Sequence, residues 1–411
     1  MNRLRSRVAV GPLRRPIPIP ISAPAAPAVD QLVAELRPAE PMYCIRPHVL
    51  QATAARFVAG FPGDVLYAVK CNPEPTVLRA LWRGGVRHFD CASPGEIRVV
   101  RQLFPEAHIH YMHPIKQAAF IRQAYFEFGV RDFSLDSAEE IDKIVAATEG
   151  AQDLGLYIRL AMPKGQAAYD LSGKFGAAPE AAALLLRKAR AVSARLGLCF
   201  HVGSQCLDPS AYGRALDLAG SVIAEAGVAI DGIDVGGGFP VSYPDETPPE
   251  LDLYFQAIRA GFAKLGLPSH AKLWCEPGRA MVAAGASVVV QVEARRGDVL
   301  YINDGVYGSL ADAGTAKWRF PARAIRPDGK TEGELKGFSF YGPTCDSADF
   351  MAGPFLLPDD IGPGDWIELG QLGAYGACLR TGFNGFERIL IAEVADQPLL
   401  ATPGHPARYA A

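Results

Sequence analysis

The 411-residue chain lacks the features that mark several special classes of protein. Its eight cysteines include no CxxC pair and no Cys/His cluster with zinc-ligand spacing, which predicts reduced thiols in a cytoplasmic protein without a metal site. No apolar run reaches the roughly 18 residues that a membrane-spanning helix needs. A net charge of −3 provides no electrostatic attraction to nucleic acid or to an anionic membrane. Small-molecule chemistry is therefore the expected kind of function.

The N-terminal segment also lacks the pattern of a folded domain or of a targeting signal. It is basic and rich in proline, and no acidic residue precedes Asp30. Repeated Ile-Pro units prevent an amphipathic transit helix, and the segment has no unbroken apolar core of the kind found in secretion signals. Residues 1–40 are predicted to form an extended or disordered arm.

From residue 64 onward, short apolar strand-like runs alternate with amphipathic stretches of helix length. The strand-like runs are Val65–Lys70, Val86–Ala92, His108–His113, Asp132–Leu135, Leu156–Met162, Leu198–Gly203, Ile230–Gly236 and Lys272–Glu276. The helix-like stretches include Pro94–Leu103, Ala138–Ala147, Pro179–Leu196, Ala211–Ala226 and Glu250–Leu265. This alternation predicts an α/β fold, a TIM-like (β/α)8 barrel over residues 41–280, because parallel strands joined by crossover helices are apolar on both faces. A doubly wound open sheet is the alternative.

The pattern changes after Arg279. Strand-like runs are now separated by Gly, Pro and Asp turns, and there is little helical periodicity. Residues 281–411 are therefore predicted to form a second, β-rich domain, to which the segment Met42–Arg46 can add a strand.

The stretch VLYAVKCNP, Val65 to Pro73, places a lysine at the end of a predicted buried strand. Asn72 and Pro73 break the strand, so Lys70 is expected at the rim where barrels carry their sites. Desolvation in so apolar a setting disfavours the ammonium and leaves a nucleophilic amine able to form a Schiff base with an aldehyde cofactor. A lysine that merely extends its amine into solvent from a strand end is the alternative.

Other polar residues fall at the same predicted rim. Gly236–Gly238 follow the seventh strand, where backbone amides can approach a phosphate, and Arg279 offers a fork of donors after the eighth. Glu276 can pair with Arg279 or keep the ring nitrogen of a pyridine cofactor protonated. His201 is either a core residue or a flat partner for the ring, with Ser204 as a phosphate donor.

Two stretches of the β-rich region also carry reactive side chains. In GPTCDSAD, Cys345 is either a buried apolar thiol or a proton donor on a loop, and Asp346 can pair with a cationic substrate. The glycine-rich stretch GAYGACLRTGFNGF contains Tyr375 and Phe383. Tyr375 is either a surface residue or a further donor to a phosphate.

Together these motifs resemble those of the barrel-fold (alanine-racemase-like, type III) pyridoxal-phosphate decarboxylases of basic amino acids, most closely the ornithine decarboxylases. The likeness extends from about Met42 to about Val394. It rests on YAVKCNP, FDCASPGEI, HVGSQ, DVGGGFP, EPGR, NDGVYGS, GPTCDSAD, GDW, GAY and FNGF, in that order. So many ordered motifs are far more specific than any single glycine pattern.

The resemblance implies that pyridoxal 5'-phosphate is the cofactor and that Lys70 carries it. His201 would stack on the ring and Glu276 would face the pyridine nitrogen. The other cofactor-binding residues implied are Asp90, Arg159, Ser204, Gly236, Gly237, Gly238, Arg279 and Tyr375, with Glu96 ordering the pocket near Lys70.

The resemblance also implies a homodimer whose active sites are shared between subunits. Cys345 and Asp346 would enter from the partner, Cys345 to reprotonate the substrate after CO2 leaves and Asp346 to hold the distal amine. Phe383 would also contact the substrate. A monomer would then be inactive.

The implied reaction is decarboxylation of L-ornithine to putrescine, a step of polyamine biosynthesis. Diaminopimelate decarboxylases usually show Cys-Glu-Ser-Gly-Asp in place of CDSAD, and alanine racemases lack such a loop. One departure concerns the substrate, because ornithine decarboxylases continue from NDGVYGS to a Tyr-Asp-His-like segment. This chain has LADAGTAKWRF, in which Asp312 is displaced and either does or does not grip the distal amine.

Lysine or another diamino acid is therefore an alternative substrate. A catalytically inactive regulatory homologue that only binds the cofactor is the alternative from a different class. The presence of Lys70, Glu276, Arg279, Cys345 and Asp346 argues against it.

Overall fold

The computed structural model describes residues 26–163 and 173–405, together with the short strand β1 (Ile17–Pro18). The first elements after β1 are helix α1 (Val29–Leu36), strand β2 (Met42–Ile45) and helix α2 (Pro47–Gly60). Among the described residues, no helix is both long and apolar enough to cross a membrane.

Helix α1 corrects part of the prediction for the N-terminal arm. Val29, Leu32 and Val33 are buried on one face of this helix, in a cluster that also contains Val289 and Trp366. That apolar face provides the burial that an extended arm lacks, so the prediction was wrong for residues 29–36. Most of the remaining arm, residues 1–16 and 19–25, lies outside the described residues.

Eight parallel strands close into a barrel. They are β3 (Asp64–Ala68), β4 (His88–Asp90), β5 (His108–Tyr111), β6 (Asp132–Leu135), β7 (Gly155–Arg159), β8 (Arg195–Cys199), β9 (Gly232–Asp234) and β10 (Lys272–Cys275). Each strand pairs with the next along the chain, and β10 pairs with β3 through Trp274 opposite Asp64. The predicted barrel is confirmed, and this closing pair rules out the open sheet.

A helix follows each barrel strand on the outside, and all but the last of these helices connect one barrel strand to the next. They are α3 (Pro75–Arg83), α4 (Pro94–Leu103), α5 (Ala118–Phe126), α6 (Ala138–Ala147), α7 (Pro179–Arg190), α8 (Ser210–Ala226), α9 (Leu251–Lys264) and the short α10 (Arg279–Val282). Helices α4 and α6 have the predicted bounds because Ser93 and Ser137 cap them, each accepting a backbone N–H three residues on. Helix α7 ends before the predicted Leu196, since β8 already begins at Arg195.

The C-terminal part contributes seven strands to a nine-stranded sheet, which β1 and β2 complete. Its elements are β11 (Ala286–Arg296), β12 (Val299–Ile302), helix α11 (Ala311–Thr315), β13 (Ala322–Ile325), β14 (Leu335–Tyr341), β15 (Phe350–Pro358), β16 (Trp366–Leu369) and β17 (Leu390–Glu393). The segment expected to add a strand forms β2, which pairs antiparallel with β11 and parallel with β17. The chain therefore enters this sheet before it builds the barrel.

Candidate active site

A cavity of about 550 Å³ lies at the C-terminal ends of the barrel strands. Most residues singled out from the sequence line it, namely Lys70, Arg159, His201, Ser204, Gly237, Gly238, Glu276, Arg279, Asp312 and Tyr375. They converge because parallel strands present their carboxyl ends at one rim. Asp312 and Tyr375 come from the C-terminal part of the chain, so the two parts of the molecule build the cavity together.

Lys70 lies just beyond the end of β3, in a 3-10 turn over Val69–Cys71. Its side chain is 48% exposed, so the expectation of an amine desolvated by an apolar strand was wrong. The strand ends at Ala68, and the turn that follows places Lys70 on the cavity wall instead. The Lys70 amine lies 3.9 Å from a carboxylate oxygen of Asp90.

Asp90 is buried beside the cavity and does not line it. Burial, followed by the charge of Glu276, raises the pKa of Asp90 to about 7, while Lys70 opposes that rise. Glu96 lies nearby on α4, where it accepts a hydrogen bond of 2.7 Å from the Ala92 backbone N–H. Burial raises the pKa of Glu96 to about 7 as well. The Lys70 amine thus has two acidic groups near it.

Glu276 follows β10 and shares its surroundings with a second acid, Asp234. Burial and the neighbouring Asp234 raise the pKa of Glu276 well above its ordinary value. Asp234 is fully buried at the end of β9, and burial raises its pKa to about 6. Its carboxylate accepts the Gly236 backbone N–H at 2.8 Å. Two buried acids so close together favour a cationic partner.

Asp234 was not among the residues proposed from the sequence. It opens the DVGGGFP motif, so an acid at a predicted strand end directly before a glycine run was the available signal. The sequence also missed the cavity-lining residues Lys174, Phe175 and Leu379. No motif surrounds Lys174 and Phe175, and Leu379 lies within GAYGACLRTGFNGF, where its residue type does not distinguish it from a surface residue.

His201 follows β8 and presents a neutral imidazole ring to the cavity. Burial lowers its pKa well below the ordinary value, and the positive charges of Arg159 and Lys70 lower it further. The Gly203 backbone N–H donates to His201 Nδ1 at 3.0 Å, which assigns the ring proton to Nε2. A neutral flat ring of this kind can pack against another ring.

The glycine run after β9 leaves room that a side chain would fill. A Cβ atom at Gly237 would lie 2.7 Å from the backbone oxygen of Glu276 and 3.2 Å from His201 Nε2. Gly238 has a φ of +107°, and a Cβ there would lie 2.4 Å from the Gly203 oxygen. Gly236 carries the backbone N–H that Asp234 binds and does not line the cavity.

Arg279 lies at the edge of this glycine run and is buried. One guanidinium nitrogen donates to the Tyr243 hydroxyl at 2.9 Å, and another lies 3.0 Å from Asp312 Oδ2. Its central carbon lies 4.2 Å from the centre of the Trp318 ring and 5.0 Å from that of Tyr375. Arg279 Nε has no hydrogen-bond partner among the described residues. The glycines and this arginine together suit an anion.

Cys345, Asp346 and Phe383 do not line the cavity of their own chain. Cys345 is exposed on the loop between β14 and β15, and its backbone N–H donates to Asn384 Oδ1 at 2.9 Å. The Tyr307 hydroxyl donates to Asp346 and lowers the pKa of that carboxylate. The rings of Tyr307 and Phe383 lie 4.8 Å apart. Cys345, Asp346, Tyr307 and Phe383 thus form a separate group at the surface, the Cys345 cluster.

Residues 48–283 match the family model for the pyridoxal binding domain of pyridoxal-dependent decarboxylases, and residues 282–373 match the C-terminal sheet domain of the same enzymes. The chain belongs to this family. It is a pyridoxal-phosphate-dependent decarboxylase of basic amino acids, and the predicted family, fold, cofactor and class of enzyme are confirmed. Among the described residues, no group of three or more His, Cys, Asp or Glu side chains can hold a metal ion.

Relatives of this decarboxylase carry different substrate names. The lysine/ornithine decarboxylase of Selenomonas ruminantium is 36% identical over 345 residues, which are 81% of this chain and 84% of the relative. The ornithine decarboxylase of Cricetulus griseus is 33% identical over 369 residues, or 84% of this chain and 78% of the relative. The solved arginine decarboxylase of Paramecium bursaria Chlorella virus, bound to agmatine, superposes with a TM-score of 0.78 at 27% identity, covering 89% of this chain and 99% of that one.

Proposed function

We propose that this decarboxylase converts L-ornithine to putrescine and CO2. The observation that carries the proposal is the convergence, in one cavity, of the Lys70 amine, the buried Glu276 carboxylate and the glycine and Arg279 anion site. The choice of ornithine is supported by the CDSAD form of the loop that carries Asp346, and by similarity to relatives named for ornithine. Lysine and other diamino acids are the alternative substrates.

The residues present fit pyridoxal 5'-phosphate. Gly237 and Gly238 leave space against the backbone where any Cβ would collide, so a phosphate can approach the amides there. Arg279 Nε is a buried donor without a partner among the described residues, and an anion would satisfy it. Ser204 and Tyr375, both on the cavity wall, can add hydroxyl donors to the same phosphate.

The side chains around the ring then have separate tasks. Lys70 would hold the cofactor at its aldehyde, and its exposed position would leave the amine accessible to the substrate. Glu276 would hold the proton on the pyridine nitrogen, which would give this acid the cationic partner that its surroundings favour. When bound, the cofactor takes up the electron pair that remains after CO2 leaves. His201 would pack its neutral ring on the cofactor, and Arg159, also on the cavity wall, would contact it.

We also propose that the sites are completed by a second copy of the chain. Cys345 and Asp346 do not line the cavity of their own chain and lie at the surface, where a partner's cavity can receive them. The side chains of Leu379, Phe383 and Phe386 are 45%, 43% and 45% exposed, and a second copy would cover this apolar surface.

In such a homodimer, Cys345 of the partner subunit returns a proton from Sγ to the substrate α-carbon. Asp346 of the partner subunit pairs with the distal ammonium, because its lowered pKa keeps it ionised at neutral pH. The Phe383 ring would lie beside that pair, because it packs against the Tyr307 ring. A cytoplasmic location is part of the proposal and is supported by eight free cysteines.

The test is CO2 release by purified protein with added pyridoxal phosphate, using L-ornithine, L-lysine, L-arginine and meso-diaminopimelate. We expect the highest kcat/KM with L-ornithine and no turnover by Lys70→Ala. A higher kcat/KM with another of the four would overturn the choice of ornithine. Cofactor binding without CO2 release from any of them would instead support an inactive regulatory homologue.

A further inference from the structure

The displaced acid of the LADAGTAKWRF segment lies against Arg279. Asp312 is the second residue of α11, its side chain is 11% exposed, and its Oδ2 is 3.0 Å from a guanidinium nitrogen of Arg279. The Trp318 backbone N–H donates to the Asp312 backbone oxygen at 3.1 Å. One short helical turn thus brings the Asp312 carboxylate and the Trp318 ring to the same arginine.

Arg279 is held in one orientation by these contacts. The Trp318 ring covers one face of the guanidinium at 4.2 Å, and the Tyr243 hydroxyl accepts one N–H at 2.9 Å. Another guanidinium nitrogen lies 3.0 Å from Asp312 Oδ2. The rings of Tyr243 and Trp318 also pack on each other, with centroids 5.1 Å apart. A planar guanidinium pinned in this way leaves Nε as a donor of fixed direction.

We propose that Asp312 is a positioning residue for Arg279 at the phosphate end of the cofactor site, and that it does not bind the substrate's distal amine. A carboxylate already neutralised by a buried guanidinium attracts a second cation weakly. If Asp312 left the pair, Arg279 would remain as an uncompensated buried charge. The raised pKa of Arg279, to which Tyr243 and Asp312 both contribute, agrees with a permanent ion pair.

This inference rests on the proposed function and completes its account of the substrate. The distal amine is then paired by Asp346 of the partner subunit, and Asp312 contributes nothing to that contact. Asp312 therefore does not replace the distal-amine contact of the Tyr-Asp-His-like segment that this chain lacks. The acid at this point of the chain serves cofactor affinity.

The experiment compares two cofactors that differ only in the phosphate. Dissociation constants of pyridoxal phosphate and of pyridoxal are measured by absorbance titration of apoenzyme for wild type, Asp312→Ala and Asp312→Asn. We expect Asp312→Ala to weaken pyridoxal phosphate about tenfold or more and to leave pyridoxal unchanged, since the ion pair that holds the Arg279 guanidinium in place is lost. Asp312→Asn keeps the shape of the side chain and an acceptor for Arg279. It therefore tests whether the effect of Asp312→Ala comes from the loss of that shape.

The amino acid substrate supplies the opposite outcome. At saturating pyridoxal phosphate, we expect KM for L-ornithine to change less than about threefold in both variants. A KM raised about tenfold or more, or a pyridoxal phosphate dissociation constant that Asp312→Ala leaves unchanged, overturns the inference. If the wild type decarboxylates none of the amino acids, the proposed function fails, while the two-cofactor comparison still decides the role of Asp312.

Two controls separate positioning from general damage. Asp245→Ala removes the carboxylate that pairs with Arg319, the residue next to Trp318. This ion pair lies outside the cavity, so the change should leave both dissociation constants unchanged. Combining Asp312→Ala with Arg279→Ala should weaken pyridoxal phosphate no further than Arg279→Ala alone, because Asp312 acts through that arginine. Additive losses would contradict the inference.

Discussion

Glu276 illustrates how burial prepares one side chain for chemistry. Its carboxyl sits at the end of an apolar strand beside the buried Asp234, and both burial and that neighbour disfavour its charge. A protonated ring nitrogen is the partner that restores the charge at least cost. The same carboxylate in solvent would bind such a nitrogen only weakly, because water would compete for both groups.

Glu276→Gln should therefore retain the shape of the site and lose its charge. We expect kcat for CO2 release to fall on the order of 100-fold, because the amide cannot hold a proton on the pyridine nitrogen. The amount of pyridoxal phosphate bound per subunit, measured by absorbance after denaturation, should remain that of the wild type. A variant with nearly normal kcat would show that Glu276 has no such role.

A cluster of histidine and aspartate side chains lies at the end of the barrel opposite the cavity. Strands β3, β4 and β6 begin with Asp64, His88 and Asp132. His88 Nδ1 lies 3.0 Å from His110 Nε2, and His110 Nδ1 lies 3.1 Å from Asp132. His88 also stacks on His108 at 4.5 Å. Neighbouring parallel strands in register bring these side chains into contact.

This cluster predicts a dependence of stability on pH. Burial, followed by the nearby His110, lowers the pKa of His88 below its ordinary value of 6.5, so the folded protein resists a proton that the unfolded chain accepts. The contribution is complete above pH 6.5 and is lost as the pH falls below it. Between pH 7.5 and 5.5, the free energy of unfolding should drop roughly 1 kcal/mol more in wild type than in His88→Asn.

Urea denaturation at the two pH values measures this difference. His48→Asn, at an exposed position on α2, is the matched control and should keep the wild-type pH dependence. An equal drop in wild type and His88→Asn would show that other groups carry the acid sensitivity. Asp132, whose pKa His110 and Arg195 lower to about 2 despite its burial, acts only at far lower pH.

At the scale of the whole molecule, the proposed homodimer would combine the cavity of one subunit with the Cys345 cluster of the other. If two copies exchange these halves, one subunit with Lys70→Ala and another with Cys345→Ala should complement each other. An equal mixture, unfolded and refolded together, should reach about one quarter of wild-type putrescine formation. Half of the dimers are then mixed, and one of the two sites in each is intact.

Each variant alone should form little putrescine, and sedimentation should confirm that both are dimers. A mixture no more active than its components, although mixed dimers are present, would mean that each site lies within a single chain. Combining both changes in one chain and mixing it with wild type is the control. Its mixed dimers have no intact site, because each of their sites lacks either Lys70 or Cys345. The mixture should therefore reach only about one quarter of wild-type activity, all of it from wild-type homodimers, whereas sites within single chains would give about one half.

The family, the closed barrel and most of the cavity wall followed from the sequence. Apolar runs spaced by helix-length segments are a local pattern, and parallel strands with crossover helices have few ways to bury them. Residues at the ends of those runs, such as Lys70, Glu276 and Arg279, therefore had to meet at one rim. The bounds of α4 and α6 also agree with the prediction to the residue, and their N-caps, Ser93 and Ser137, are equally local features.

Only the tertiary structure decided the rest. The burial of α1, the exposure of Lys70 and the place of Asp312 depend on contacts between segments far apart in the chain. The sequence left open whether the displaced Asp312 grips the substrate's distal amine. In the structure it meets Arg279, because a loop of the C-terminal part folds over the barrel rim. Sequence patterns identify which residues can do chemistry, whereas the packing of distant elements determines which partner each one finds.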